Sequence, residues 1–160
     1  MNLFKKLFGS NDPSSDEARS GHSNKPNPDI NSPLDEQFIY NFKKNGGKFL
    51  YCENLNEVRE QFENILEEND WFECEALCYE PKLHFLLDEN KLTYGQNINP
   101  KFLLSSCENL VAEEGSILFS SNQIKQKKPN DLPTNIIILA NTSQIVEGKS
   151  DGLSAIRKKY

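Results

Sequence analysis

No stretch of this chain approaches the about 18 consecutive apolar residues that a membrane-spanning helix needs. Its four cysteines, Cys52, Cys74, Cys78 and Cys107, include no Cys-x-x-Cys pair and have no adjacent histidine to complete a metal set. The closely spaced thiolate run of an iron-sulfur protein is missing too, so no metal or cluster is expected on this chain. The cysteines read as buried free thiols of a reducing compartment, and Cys74 and Cys78 lie too far apart along a strand for easy bridging. Histidine is nearly absent. His22 falls in a linker and His84 stands between Leu83 and Phe85 with no fixed acidic neighbour, which leaves no Ser-His-Asp constellation to argue from. A basic excess is lacking as well: 18 Lys and Arg against 24 Asp and Glu give a formal charge of -6. That balance opposes general adhesion to nucleic-acid phosphates or anionic lipid. A cytoplasmic protein without stable membrane insertion is the expectation.

What is present suits one α/β domain with a tail, since 160 residues can bury a single core without staples. Residues 1–9 place Leu3, Phe4, Leu7 and Phe8 on one helical stripe with Lys5 and Lys6 opposite and Gly9 as a stop, predicting a short amphipathic helix. Residues 10–33 hold six serines and four of the eight prolines with almost no large apolar side chain, and are expected to be a disordered linker. The globular part, 34–160, opens with a helix over 34–45 carrying Phe38, Ile39 and Phe42 and closed by Gly46-Gly47. A strand at 48–52 follows. Asn54 or Asn56 then caps a helix whose buried stripe is Val58, Phe62, Ile65 and Leu66. Glu75 to Tyr79 reads as a strand, Pro81 opens a short helix, and 92–94 is a further short strand. Alternation of this kind predicts a mostly parallel sheet with flanking helices. Residues 109–112 and 116–119, separated only by Glu113, Glu114 and Gly115, have hairpin spacing and would insert an antiparallel pair into that sheet. The apolar run Ile136 to Ala140 is the next strand, and Ser150 caps a last helix with Leu153 and Ile156 facing inward.

Two polar clusters follow apolar strands. Ser120, Ser121 and Asn122 come after Ile117 to Phe119, and Thr142 and Ser143 come after Ile136 to Ala140. Small residues at the carboxyl ends of parallel strands line the ligand crevices of open α/β sheets, where hydroxyls and backbone N–H groups meet a carboxylate or phosphate. The same residues are ordinary turn formers and caps. Lys125, Lys127 and Lys128 form a basic loop that suits either an acidic partner or plain solvation.

Three segments, Phe42-x-x-Asn45-Gly46-Gly47, Val111-Ala112-Glu113-Glu114-Gly115-Ser116-Ile117-Leu118, and Leu132-Pro133 with Thr142-Ser143-Gln144-Ile145-Val146, resemble the lactate-utilization domain family over about residues 36–160. This is the small α/β domain of the bacterial lactate utilization B and C proteins. The resemblance implies a fold similar to the sugar-phosphate isomerase and coenzyme A transferase group, with a site over the carboxyl ends of a parallel sheet. By that likeness Glu113 becomes a candidate base or nucleophile beside Gly115 and Ser116, the alternative being a solvated hairpin turn. The sequence departs from the family pattern at Glu114, where a threonine is usual, and in ending at Lys158-Lys159-Tyr160, where members continue with a further loop and strand. The expected role is then that of an accessory protein without catalysis of its own, supporting oxidation of L-lactate to pyruvate through a partner that carries the iron-sulfur cluster. The other reading is a binding protein or enzyme for a coenzyme A, sugar-phosphate or other anionic metabolite.

Overall fold

The computed structural model describes residues 31–95 and 99–160, together with the backbone of Asn2–Leu7. Most of the expected linker, His22 included, lies outside the described residues. The elements run β1 (Asn2–Leu7), α1 (Leu34–Lys44), β2 (Gly47–Cys52), α2 (Leu55–Asn69), β3 (Glu75–Leu77), a 3-10 turn (Pro81–Leu83) leading into α3 (His84–Glu89), β4 (Thr93–Tyr94) and β5 (Phe102–Ser105). The chain goes on through β6 (Asn109–Val111), β7 (Ser116–Leu118), α4 (Ser121–Ile124), β8 (Asn135–Asn141), β9 (Ile145–Val146) and α5 (Lys149–Lys159).

The main sheet has the order β2-β1-β8-β5-β3-β4, in which β8, β5, β3 and β4 are parallel. This is the α/β architecture the alternation predicts. Helix α2 starts where Asn54 accepts a hydrogen bond from Glu57 N (3.0 Å), and its stripe Val58, Phe62, Ile65 and Leu66 is buried. That stripe packs on one face of the sheet with Phe102, Leu104 and Ile137, and Trp71 stacks on Phe102 with ring centroids 5.1 Å apart. On the other face Phe38 and Phe42 of α1 meet Leu110, Ala112, Ile138 and Ala140. Strands β5 and β8 are covered on both sides, so they read as unbroken apolar runs.

Three expectations are corrected. The segment foreseen as an amphipathic helix is strand β1 over Asn2–Leu7, antiparallel to both β2 and β8. Six residues paired on both edges satisfy far more backbone than a nine-residue helix holds alone, since isolated helices that short are marginal. The hairpin forms where its spacing places it, but outside the main sheet: β6 pairs antiparallel with β7 and parallel with β9 in a second sheet ordered β7-β6-β9. Both edges of β8 are already occupied, by β5 and β1, so the hairpin takes Ile145–Val146 as its partner instead. Finally, α5 is capped at Gly148, whose N–H donates to Asp151 (3.2 Å), and Leu153 is exposed. Its buried line runs through Gly152, set against Leu118 and Val146, and the half-buried Ile156 one turn on.

Candidate functional site

The Glu-Glu-Gly-Ser turn is held by α1. Asn41 donates its amide to the carbonyls of Ala112 (2.8 Å) and Glu113 (3.2 Å), and Asn45 donates to that of Glu114 (2.8 Å). Gly115 has φ +65°, and a Cβ there would stand 2.4 Å from the Asn41 carbonyl carbon and the Phe42 nitrogen. Only glycine fits both that conformation and that approach. Ser116 donates to the Glu114 carboxylate (3.2 Å), which also pairs with Lys149 (3.2 Å). Glu113 is exposed and its backbone N–H donates to Glu147 O (3.0 Å). Glu113, Gly115 and Ser116 therefore sit together at this turn, Glu113 exposed and Gly115 buried against α1, and none of them lines the cleft described next.

That cleft, of about 500 Å³, opens at the carboxyl ends of β5 and β8. Its floor is Ser106, Cys107 and Glu108 after β5 and Leu139 to Asn141 at the end of β8, and its walls include Leu55, Lys82, Phe85, Gln123, Gln144 and Lys159. Beside it stands Glu80, just past the end of β3. From β3 the chain leads outward to β4, whereas from β5 it leads to β8 on the other side. The gap between β3 and β5 is thus a topological switch point, the place where open sheets form a crevice.

Glu80 closes that gap. Ser106 donates its backbone N–H to Glu80 Oε1 (2.7 Å) and its hydroxyl to Oε2 (2.6 Å), Ser105 Oγ lies 2.9 Å from Oε1, and Lys82 Nζ lies 3.1 Å from Oε2. Burial alone would raise this carboxyl, but the Ser106, Lys82 and Ser105 hydrogen bonds outweigh it and hold the pKa below its ordinary value. A second carboxylate, Glu108, is 7% exposed and accepts from Lys159 Nζ (3.0 Å) and Tyr160 OH (2.9 Å). Here too burial pushes upward and is overcome by Lys159, Tyr160 and the nearby Ser120 hydroxyl, so Glu108 stays ionised. The Ser120 hydroxyl itself is buried and has no partner at ordinary hydrogen-bond length.

The two polar clusters share one geometry. Gln123 Oε1 accepts from Ser120 N (2.9 Å) and its Nε2 donates to Ser106 Oγ (3.3 Å). Gln144 Oε1 accepts from Asn141 N (2.8 Å), and its Nε2 donates to the carbonyls of Cys107 and Glu108. In each turn the glutamine side chain caps the backbone N–H three residues before it and reaches across to the end of β5. From these two turns the cleft is lined by Gln123, Asn141 and Gln144, and Ser120 is not among its lining residues. Ser121, Asn122, Thr142 and Ser143 are not among its lining residues. Sequence reasoning missed Glu80, Lys82, Ser106, Glu108 and both glutamines; the signals available were Glu80 directly before Pro81 and the repeated polar-x-x-Gln spacing.

Of the thiols, Cys107 lines the cleft while Cys52 and Cys78 are buried in the core, and burial pushes Cys78 up to about 11. Among the described residues no group of three His, Cys, Asp or Glu is placed to hold a metal ion, and no helix is long and apolar enough to cross a membrane. No protein-family model, curated protein or solved structure matches the chain.

Proposed function

We propose that the protein binds a small anionic metabolite in the cleft at the carboxyl ends of β5 and β8. The observation that carries this reading is the contrast between nearly buried carboxylates and the solvent-exposed lysines paired with them. Glu80 and Glu108 have side chains only 14% and 7% exposed and are anchored by hydroxyl and amide donors, whereas Lys82 and Lys159 are 67% and 60% exposed. The solvated lysine ends can turn to an incoming carboxylate or phosphate, exchanging one anionic partner for another. The fixed carboxylates, with Gln123 and Gln144, then supply acceptors and donors for the ligand's hydroxyl groups. A thermal-shift screen of hydroxy acids and phosphorylated metabolites tests it, since a ligand at a hundred times its Kd stabilises by about 2.7 kcal/mol. No shift with any of them refutes the reading.

A second reading follows from the resemblance to the lactate-utilization family. It is favoured by the packing of two of the resembling segments, around Asn45 and around Gly115, into one interlocked unit. In this reading the chain is an accessory member of a lactate-oxidising assembly, and a partner subunit carries the iron-sulfur cluster. Gentle affinity purification from native lysate then recovers an iron-sulfur subunit. Recovery of the chain alone counts against it.

A further inference from the structure

The cleft is divided by polarity. Leu83, with the half-buried Phe85 and Leu139, belongs to the core cluster beneath α2 and α3, and Leu55 at the start of α2 adds an exposed apolar side chain to the same lining. The polar members gather instead around the end of β5, where Gln123 bonds Ser106, Gln144 bonds the Glu108 carbonyl and Lys159 pairs with the Glu108 carboxylate. A sugar phosphate has nothing to place on the apolar wall. A three-carbon hydroxy acid would leave most of the about 500 Å³ to water.

We propose that the ligand is amphipathic: a flat apolar ring joined through a hydroxylated middle to a phosphate or carboxylate, of nucleoside monophosphate size. This rests on the anion-binding reading above and adds the ring. An apolar wall facing a comparably large set of polar and charged groups, as here, suits a ligand with one apolar and one polar end. In this arrangement Leu55, Phe85 and Leu139 cover the ring, Gln123 and Glu108 meet the hydroxyls, and Lys82 or Lys159 neutralises the anion. No bond is made or broken.

Titration calorimetry on the full chain with adenosine monophosphate, ribose 5-phosphate and adenosine separates the contributions. The expected result is that the nucleotide binds at least about ten-fold more tightly than either fragment, because burial of the ring and charge pairing act together. Leu55→Ser, at a position 42% exposed and tolerant of change, should remove most of the nucleotide's advantage while leaving ribose 5-phosphate unaffected. Lys82→Gln should weaken both phosphates and spare adenosine. Equal affinity for nucleotide and ribose 5-phosphate overturns the amphipathic ligand and leaves the anion-binding reading intact. Binding of adenosine as tightly as the nucleotide overturns both, and failure of all three to bind overturns the amphipathic ligand, leaving the anion reading to the thermal-shift screen.

Discussion

Replacing Gly115 by alanine tests whether the Glu-Glu-Gly-Ser turn is a ligand loop or a packing device. Gly46 supplies the control, because its φ is +87° and a Cβ there meets nothing within 4 Å among the described residues. Gly46→Ala should cost only the left-handed conformation, about 1–2 kcal/mol. Gly115→Ala carries the same conformational cost at φ +65° and in addition drives a methyl to 2.4 Å from two backbone atoms of α1. Backbone cannot rotate away as a side chain does, so overpacking adds about 1–3 kcal/mol. If the turn lifts to relieve the clash, the amides of Asn41 and Asn45 lose their carbonyl acceptors, at about 0.5–1.5 kcal/mol for each bond. The expected loss is roughly 2–5 kcal/mol, against 1–2 for the control. Urea unfolding followed by the fluorescence of Trp71, the chain's only tryptophan and stacked on Phe102, reads both variants. Equal midpoints for the two would refute the packing argument. A Gly115→Ala protein of full stability that no longer binds anions would return the turn to the status of a ligand loop.

Glu80 and Glu108 both have folded pKa values below the ordinary carboxyl value of 4.5, so the stability they contribute is present above that value and lost as pH falls through the folded values. Glu80→Gln should flatten the acid side of a melting-temperature profile as pH falls below the ordinary value of 4.5; an unchanged profile refutes the role given to Glu80. At the alkaline end the Cys78 thiol, moved from 9.0 to about 11, contributes stability that is complete below pH 9.0 and disappears as pH rises toward 11, and Cys78→Ala should remove that part of the decline. Native alkylation followed by mass spectrometry should label Cys74 before the buried Cys52, Cys78 and Cys107, and simultaneous labelling would contradict the burial. Gln144→Glu sets a carboxylate oxygen against the carbonyls of Cys107 and Glu108 and should cost at least about 1–3 kcal/mol in urea unfolding. A loss under half a kilocalorie would show that Gln144 does not tie β8 to β5.

Helices α1 and α2 are legible in the sequence because Phe38 and Phe42, and Val58, Phe62, Ile65 and Leu66, recur with the helical period, and because Asn54 caps α2. The hairpin is legible as a spacing but not as a location, since which sheet receives it depends on which edges remain open. Strand β5 is hidden for a different reason. Phe102 to Ser105 are four residues buried on both faces, so they show neither alternation nor length. Missing β5 hides the site as well, because Ser105, Ser106 and Glu108 acquire meaning only when placed beside the end of β3. Leu153 follows the helical pattern yet is exposed, because Gly152 carries the close contact to the second sheet.

The distribution of donors around the two carboxylates explains how a chain of net charge -6 can accept an anion at an acidic site. When Lys82 turns to a ligand, Glu80 keeps both Ser106 bonds and the Ser105 hydroxyl beside it. When Lys159 turns, Glu108 keeps Tyr160, with the Ser120 hydroxyl close by. Neither carboxylate is left buried without donors, so releasing a lysine avoids the several kcal/mol that an abandoned buried charge would cost. In the proposed anion-binding reading the lysines act as exchangeable counter-ions, and the serines and the tyrosine hold the carboxylates in place. A site with lysines as the sole partners of its carboxylates would resist the same ligand. In the proposed reading, the serine donors at Glu80 and the Tyr160 donor at Glu108 are therefore what makes anion binding compatible with the charge of the protein.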